Sequence, residues 1–300
     1  MSRVTLMPPI DADRDEVDDG PDIPSAESEP GATEPRVPES GGPPGPTAPA
    51  VTAILRAPPA ARAGNPVPEA TVAAMFDAIA PVYDRVNTVM TFGADARWRR
   101  VAVEAARLPP GASAIDVACG TGKLAVELAE RVGPFGRVLA VDLSPVMIGR
   151  ASAAYRDLVQ LEFRVGNALS LPAADAEFDA ATIAFGMRNL ARYEDGFREL
   201  RRVVRPGGRV VCQELTMPRP RLWARVFQTS FRVAAPLAGR LLGRSSAYRY
   251  LPASLEGFPD PEQLAATMRR AGLTEVTYRR LGLGSVALHT GVVPGAQPAT

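Results

Sequence analysis

The stretch IDVACGTGKLAVEL, residues 115–128, constrains the fold more than any other part of the chain. An apolar run carrying an acid at Asp116 meets small residues at Ala118, Gly120 and Gly122, then passes directly into a helical pattern. A strand that enters a helix through so tight a turn is a unit of a parallel α/β sheet, with backbone N–H groups at the turn free to face a ligand. The dinucleotide fingerprint G-x-G-x-x-G does not fit, because the small residues recur at every second position and the next required glycine falls on Lys123.

Two acids refine the reading. Asp116 stands before the turn, where a carboxylate faces a ligand ammonium group. Asp142 ends the second apolar run, GRVLAVDLSPVMI, 20 residues past Gly122, the distance of an acid that takes two ribose hydroxyls. Taken alone, Asp142 also suits a helix start, since Ser144 and Pro145 follow it. The order and spacing together point to an amino-acid-bearing nucleoside, S-adenosylmethionine.

Around this unit the hydrophobic periodicity alternates. Val72, Met75, Phe76, Ile79 and Val82 recur at helical spacing with a break at Pro81, and a second helix covers 94–107. Strands are predicted over 114–119, 137–142, 161–165, 179–184 and 208–214, and helices over 123–132, 145–155 and 194–204. Asp260 and Pro261 start a further helix closed by Gly272, and strands at 275–281 and 285–290 complete the sheet. This is a Rossmann-like α/β fold, a mostly parallel seven-stranded sheet with helices on both faces. Asp116, Asp142 and Asn167 all fall at or just beyond strand ends, where such sheets bind ligands.

Residues 1–68 read differently, with 15 of the 30 prolines, and the first 40 residues carry 11 acids against three arginines. Too little apolar surface is present there to offset ordering entropy, so a disordered acidic tail is expected, followed by one domain over 69–300. Its acidity argues against a mitochondrial presequence. No run is long enough to span a bilayer and no secretory signal is visible, which predicts a cytoplasmic protein. The two cysteines, Cys119 and Cys212, have no neighbouring histidine, so no metal site and no disulfide are predicted.

From about Phe76 to Gly291 the chain resembles the class I methyltransferases, and more narrowly the ubiquinone and menaquinone biosynthesis C-methyltransferase family. FDAIAPVYDRVN, DVACGTGKL, GNALSLPAADAEFDAATIAFGMRNL, RVVRPGGRVV, YRYLPASLEGFPDPEQLAATMRRAGL and VALHTG carry the resemblance, FGMRN and YRYLP being the specific segments. It implies cofactor contacts at Thr121, Asp142, Asn167, Ala168 and Ala184, and Asp116, Gly120 and Gly122 of the turn are assigned to the cofactor with them. Ala184 stands where serine is usual, Val86, Thr91 and Asp95 where Met, Ser and His are usual, and Arg205 and Thr216 where Lys and Ser are usual. Gln213 occupies a normally apolar position just before Glu214.

The implied reaction is methyl transfer to a ring carbon of a prenylated quinol, most directly demethylmenaquinol. The ubiquinone precursor and a small aromatic natural product are the alternatives, and a non-catalytic cofactor-binding subunit is the alternative outside enzymes. A ring carbon attacks only when an adjacent hydroxyl gives up its proton. Arg188 is therefore expected to stabilise the phenolate or order a water, with Asn189 beside it. His289, the one histidine, and Asp84 are the candidate proton acceptors. Tyr83, Asn87, Trp98 and Tyr250 are assigned to the substrate side. Residues 219–255 hold seven arginines and no acid, and within 219–247 a basic amphipathic pattern suits a peripheral membrane contact. A homodimer is left open. No nucleic-acid partner is expected, since no base-flipping motif follows the fourth strand.

Overall fold

The computed structural model describes residues 68–218, 254–255 and 257–295. The N-terminal tail, Tyr250 and the basic 219–247 stretch lie outside the described residues.

Three helices precede the sheet: α1 (Glu69–Ile79), α2 (Tyr83–Met90) and α3 (Ala94–Ala106). Pro81 separates the first two, as its missing N–H and fixed φ dictate. The alternating core follows as β1 (Ser113–Val117), α4 (Lys123–Val132), β2 (Arg137–Asp142), α5 (Pro145–Ala154), β3 (Leu161–Val165), β4 (Phe178–Ala184), α6 (Tyr193–Val203) and β5 (Val204–Leu215). The chain then returns through α7 (Pro261–Arg270), β6 (Thr274–Leu281) and β7 (Val286–Val292).

The strands form one seven-stranded sheet in the order β3-β2-β1-β4-β5-β7-β6. The first five strands are parallel, and β7 enters antiparallel between β5 and β6. Strand order reverses between β1 and β4, so the crevice beyond their carboxyl ends is where this topology binds ligands. Strand alternation divides the core between two faces. Ile115, Val117, Leu139 and Ile183 pack with Phe197 and Leu200 of α6 and Met268 of α7. Ala114, Ala140, Ala180 and Val211 pack with Ala102 of α3 and Leu124 and Leu128 of α4. The small side chains of the second face let α3 and α4 approach the sheet closely.

Helix starts follow the local chemistry. The Ser144 hydroxyl accepts from the Met147 N–H and Pro145 opens α5, while Asp260 and Gln263 form a reciprocal capping box at α7. β5 starts earlier than the periodicity predicts. Val204 already pairs with Phe178, the chain bulges through 205–208, and the ladder resumes at Arg209 opposite Ala180. Gly208 is required there, because a Cβ would lie 2.6 Å from the Asp179 carbonyl oxygen.

The turn after β1 explains the every-second-residue spacing of its small residues. Ala118, Gly120 and Gly122 all adopt left-handed backbone, with φ of 54°, 55° and 83°. At Gly122 a Cβ would also stand 2.7 Å from the Phe163 ring, whereas Gly111, with φ of 81°, faces open space. Gly111→Ala should therefore cost the left-handed backbone penalty alone, roughly 1–2 kcal/mol. Gly122→Ala should cost clearly more, as compared by urea denaturation of the two variants.

Candidate active site

The left-handed turn lifts Gly120 over the end of β2, and its N–H donates to Asp142 Oδ2 at 2.8 Å. Asp142 Oδ1 accepts from the Ser144 N–H at 2.9 Å. Helix capping therefore falls to Ser144, and Asp142 is left as a carboxylate oriented by two backbone donors. Burial raises its pKa, and these N–H bonds partly offset the rise.

Asp142 lines a small cavity of ≈80 Å³ together with Gly120, Asn167, Ala168, Ala184 and Asn189. Val141, Leu143, Met147, Val72 and Phe76 supply its apolar walls. The helix α1 closes this cavity from above: Asn167 Nδ2 donates to Glu69 Oε2 at 2.8 Å, and the Ser144 hydroxyl donates to Asp77 Oδ1 at 2.5 Å. A larger cavity of ≈580 Å³ adjoins it. Tyr83, Ala118, Gly120, Ala184 and Phe185 line both. The larger cavity adds Asp84, Asn87, Trp98, Thr121 and Arg188, and its rim includes Phe92 and Leu283.

Polar groups of the larger cavity are held in place. The Thr121 hydroxyl donates to Asp84 Oδ1 at 2.7 Å, with Lys123 Nζ 3.6 Å from the same oxygen. Arg99 bridges Asp95 and Glu127 at 2.7 and 2.8 Å. Arg188 is only 6% exposed and its guanidinium bonds the Phe185 carbonyl at 2.6 Å and the Glu214 carboxylate. Its backbone N–H donates to the second Glu214 oxygen at 3.1 Å, while its Nε is buried without a protein partner. The sequence reading missed Glu214. An acid within the apolar run of β5 was the available signal, because a buried carboxylate demands a cationic partner. Tyr83 is half-buried between the cavities, and desolvation raises its phenol pKa despite the nearby Arg188.

Three expected residues stand outside the lining of both cavities. Asp116 lines neither cavity. It is buried behind the turn, where Oδ1 accepts from the Thr182 hydroxyl at 2.6 Å and Oδ2 has no partner. Gly122 is the N-cap of α4, in left-handed backbone, and lines neither cavity. His289 corrects the expectation of a proton acceptor. It lies buried on the α6 and α7 side of the sheet, with Nε2 2.9 Å from the Pro261 carbonyl oxygen and its ring tilted against that of Tyr278 at a centroid distance of 5.4 Å. It lines neither cavity, and desolvation lowers its pKa.

A parallel sheet with paired cavities at its switch point, one of them walled by an acid at the end of β2, defines a nucleoside-cofactor enzyme of the methyltransferase fold. The chain belongs to the ubiE/COQ5 methyltransferase family, which it matches over residues 65–293. It is 45% identical over 223 residues to the demethylmenaquinone methyltransferase of Thermus thermophilus, covering 73% of this chain and all of that one. It is 38% identical over 220 residues to the ubiquinone/menaquinone biosynthesis C-methyltransferase UbiE of Geotalea daltonii, covering 72% of this chain and 94% of that one. Among solved structures, the methyltransferase in complex with the Haloferax volcanii Trm112 activator superposes with a TM-score of 0.55 at 20% identity, covering 73% and 97% of the two chains, and shares the fold.

The cofactor of this methyltransferase is S-adenosylmethionine, and the residues present suit it. The orphaned Asp116 oxygen behind the turn matches an ammonium group, the Asp142 carboxylate matches vicinal hydroxyls, and the apolar walls beside Asn167 and Ala168 match a purine. Burial pushes the Asp116 carboxyl up to about 7 from 3.8, the Thr182 hydrogen bond opposing and the Asp142 charge reinforcing the rise. The folded protein then holds a proton that the unfolded chain releases between pH 4 and 7, so stability falls as pH rises through that window. At 1.36 kcal/mol per pKa unit the loss is on the order of 4 kcal/mol. Asp116→Asn should abolish that component, read as urea midpoints of the two proteins converging at pH 4 and separating by pH 8, with the variant more stable.

Proposed function

We propose that the chain transfers the methyl group of S-adenosylmethionine to a ring carbon of a prenylated quinol, demethylmenaquinol, giving menaquinol. One observation carries the reading: the small Asp142 cavity opens onto the larger one across Gly120 and Ala184, and Arg188 lines the larger wall. The named activity of the Thermus relative, whose whole length this chain covers, supports the choice of ring. The UbiE name of the Geotalea relative makes the ubiquinone precursor the second reading.

When bound, the cofactor supplies an electrophilic methyl group on a sulfonium. The residues of this chain do the rest. Asp142, fixed by two backbone N–H groups, orients the nucleoside. Tyr83 and Asn87 cover the junction of the two cavities and help exclude water. The unpaired Nε–H of Arg188 offers a donor to a quinol oxygen as that oxygen becomes phenolate. Glu214 holds the guanidinium in place and balances its charge, which makes it a positioning residue. Asp84, whose Oδ1 accepts from the Thr121 hydroxyl, is the carboxylate we assign to receive the ring proton, Asp95 of the same cavity being paired with Arg99.

The apolar rim suits the prenyl tail. Phe92 and Leu283 are 97% and 74% exposed and both line the mouth, a placement that favours a membrane surface as the place where the tail is taken up. Among the described residues no helix is long and apolar enough to cross a membrane.

The test uses purified chain, methyl-labelled S-adenosylmethionine and reduced demethylmenaquinone, with the demethoxy ubiquinone precursor in parallel. Label on the naphthoquinol ring is expected, and label on the benzoquinol alone would replace the leading reading with the second. Because removing Arg188 alone strands a buried carboxylate, the variant to use is Arg188→Met with Glu214→Gln. Its turnover should fall about 100-fold or more while cofactor affinity by calorimetry stays close to that of the parent.

A further inference from the structure

The small cavity carries a second carboxylate that the reaction as described leaves without a task. Along α1, Glu69, Val72, Ala73 and Phe76 recur at helical spacing, and all four line that cavity. Three of them are apolar wall, and the fourth is an acid. Among the described residues, Glu69 and Asp142 are the two acids in the lining.

The anchors of α1 set these two acids apart. Asp142 ends β2, and Ser144, two residues on, is bonded to Asp77 in the C-terminal half of α1. Glu69, eight residues earlier and so about 12 Å back along the helix, is bonded to Asn167 beyond β3. A nucleoside with its ribose on Asp142 and its purine beside Asn167 and Ala168 therefore runs beneath α1 towards Glu69. In that corner the Asn167 amide is already committed. Its oxygen accepts from the Leu169 N–H at 2.9 Å, and its nitrogen donates to Glu69 Oε2 at 2.8 Å. Among the described residues Glu69 Oε1 has no hydrogen-bond partner, which leaves it as the open carboxylate oxygen at this end of the cavity.

We propose that Glu69 is a specificity-determining residue for the cofactor, its carboxylate accepting a hydrogen bond from the exocyclic amino group of adenine. A carboxylate offers acceptors alone, and adenine presents an N–H donor where a 6-oxo purine presents an acceptor. The site therefore selects an amino-purine nucleoside, and the bond to Asn167 holds the carboxylate at the purine edge. A glutamate in the first turn also suits the helix dipole, a contribution that is the same whichever purine is bound. The inference rests on the nucleoside reading of the small cavity and adds to it the recognition of the base.

The test measures binding to the full chain by calorimetry, with S-adenosylhomocysteine and S-inosylhomocysteine, which differ in the purine 6-substituent. The parent should prefer the adenosyl ligand by about tenfold or more, the range of a hydrogen bond to a charged group. Glu69→Gln, whose amide both donates and accepts, should cut that preference by about fivefold or more at an unchanged thermal midpoint. A glutamate that only anchors α1 would instead weaken both ligands by the same factor. A preference kept whole in Glu69→Gln would overturn the assignment, as would equal binding of the two ligands by the parent. Asp142→Ala, run alongside, separates the two levels of the reading. Unchanged affinity of Asp142→Ala for S-adenosylhomocysteine, or failure of the parent to bind either ligand, would reject the nucleoside reading on which the assignment stands.

Discussion

The hydrogen bond from the Gly120 N–H to the Asp142 carboxylate holds the site together. It joins the turn after β1 to the end of β2, and both strands end there because the sheet reverses its order beside them. The left-handed run through Ala118, Gly120 and Gly122 brings the N–H to that carboxylate, and the carboxylate becomes a wall of the small cavity. The same turn puts Cys119 and Thr121 into the larger cavity. One backbone conformation thus sets both halves of the site and the junction between them.

Charge is arranged unequally across that junction. At the small cavity and behind its turn, half-buried Asp142 and buried Asp116 have raised pKa values, and one Asp116 oxygen is unpaired, a state that a bound cation would relieve. On the acceptor side, Arg188 is neutralised by Glu214 yet keeps one donor unpaired. Neither arrangement favours the folded chain by itself, since each holds polar atoms out of water without full compensation. Such sites keep their cost because ligands complete them.

Much of this was legible in the sequence because it is local. Strong periodicity gave α4, β2 and β3 with their boundaries, and Asp260 with Pro261 and Gly272 marked α7 at both ends. The small residues at 118, 120 and 122 disclosed the turn before its φ angles were known. Contacts between distant segments were not legible. Glu69 with Asn167, Asp77 with Ser144 and Arg188 with Glu214 each join elements whose proximity only the sheet order creates. His289 misled because its chemistry suits a proton acceptor, while the alternation of β7 turns it to the face away from the larger cavity. The bulge at 205–208 was missed because Val204 pairs with Phe178 through a contact that an apolar pattern does not encode.

The central claim is that the cavity at Asp142 holds the nucleoside and the larger cavity holds the ring. A crystal structure of the full chain with S-adenosylhomocysteine and a short-chain demethylmenaquinol tests it most directly. The ribose should lie on Asp142 beneath α1, with the sulfur directed across Gly120 and Ala184 at a ring carbon beside Arg188. A nucleoside seated instead beside Trp98 and Arg99, with the ring elsewhere, would contradict the account.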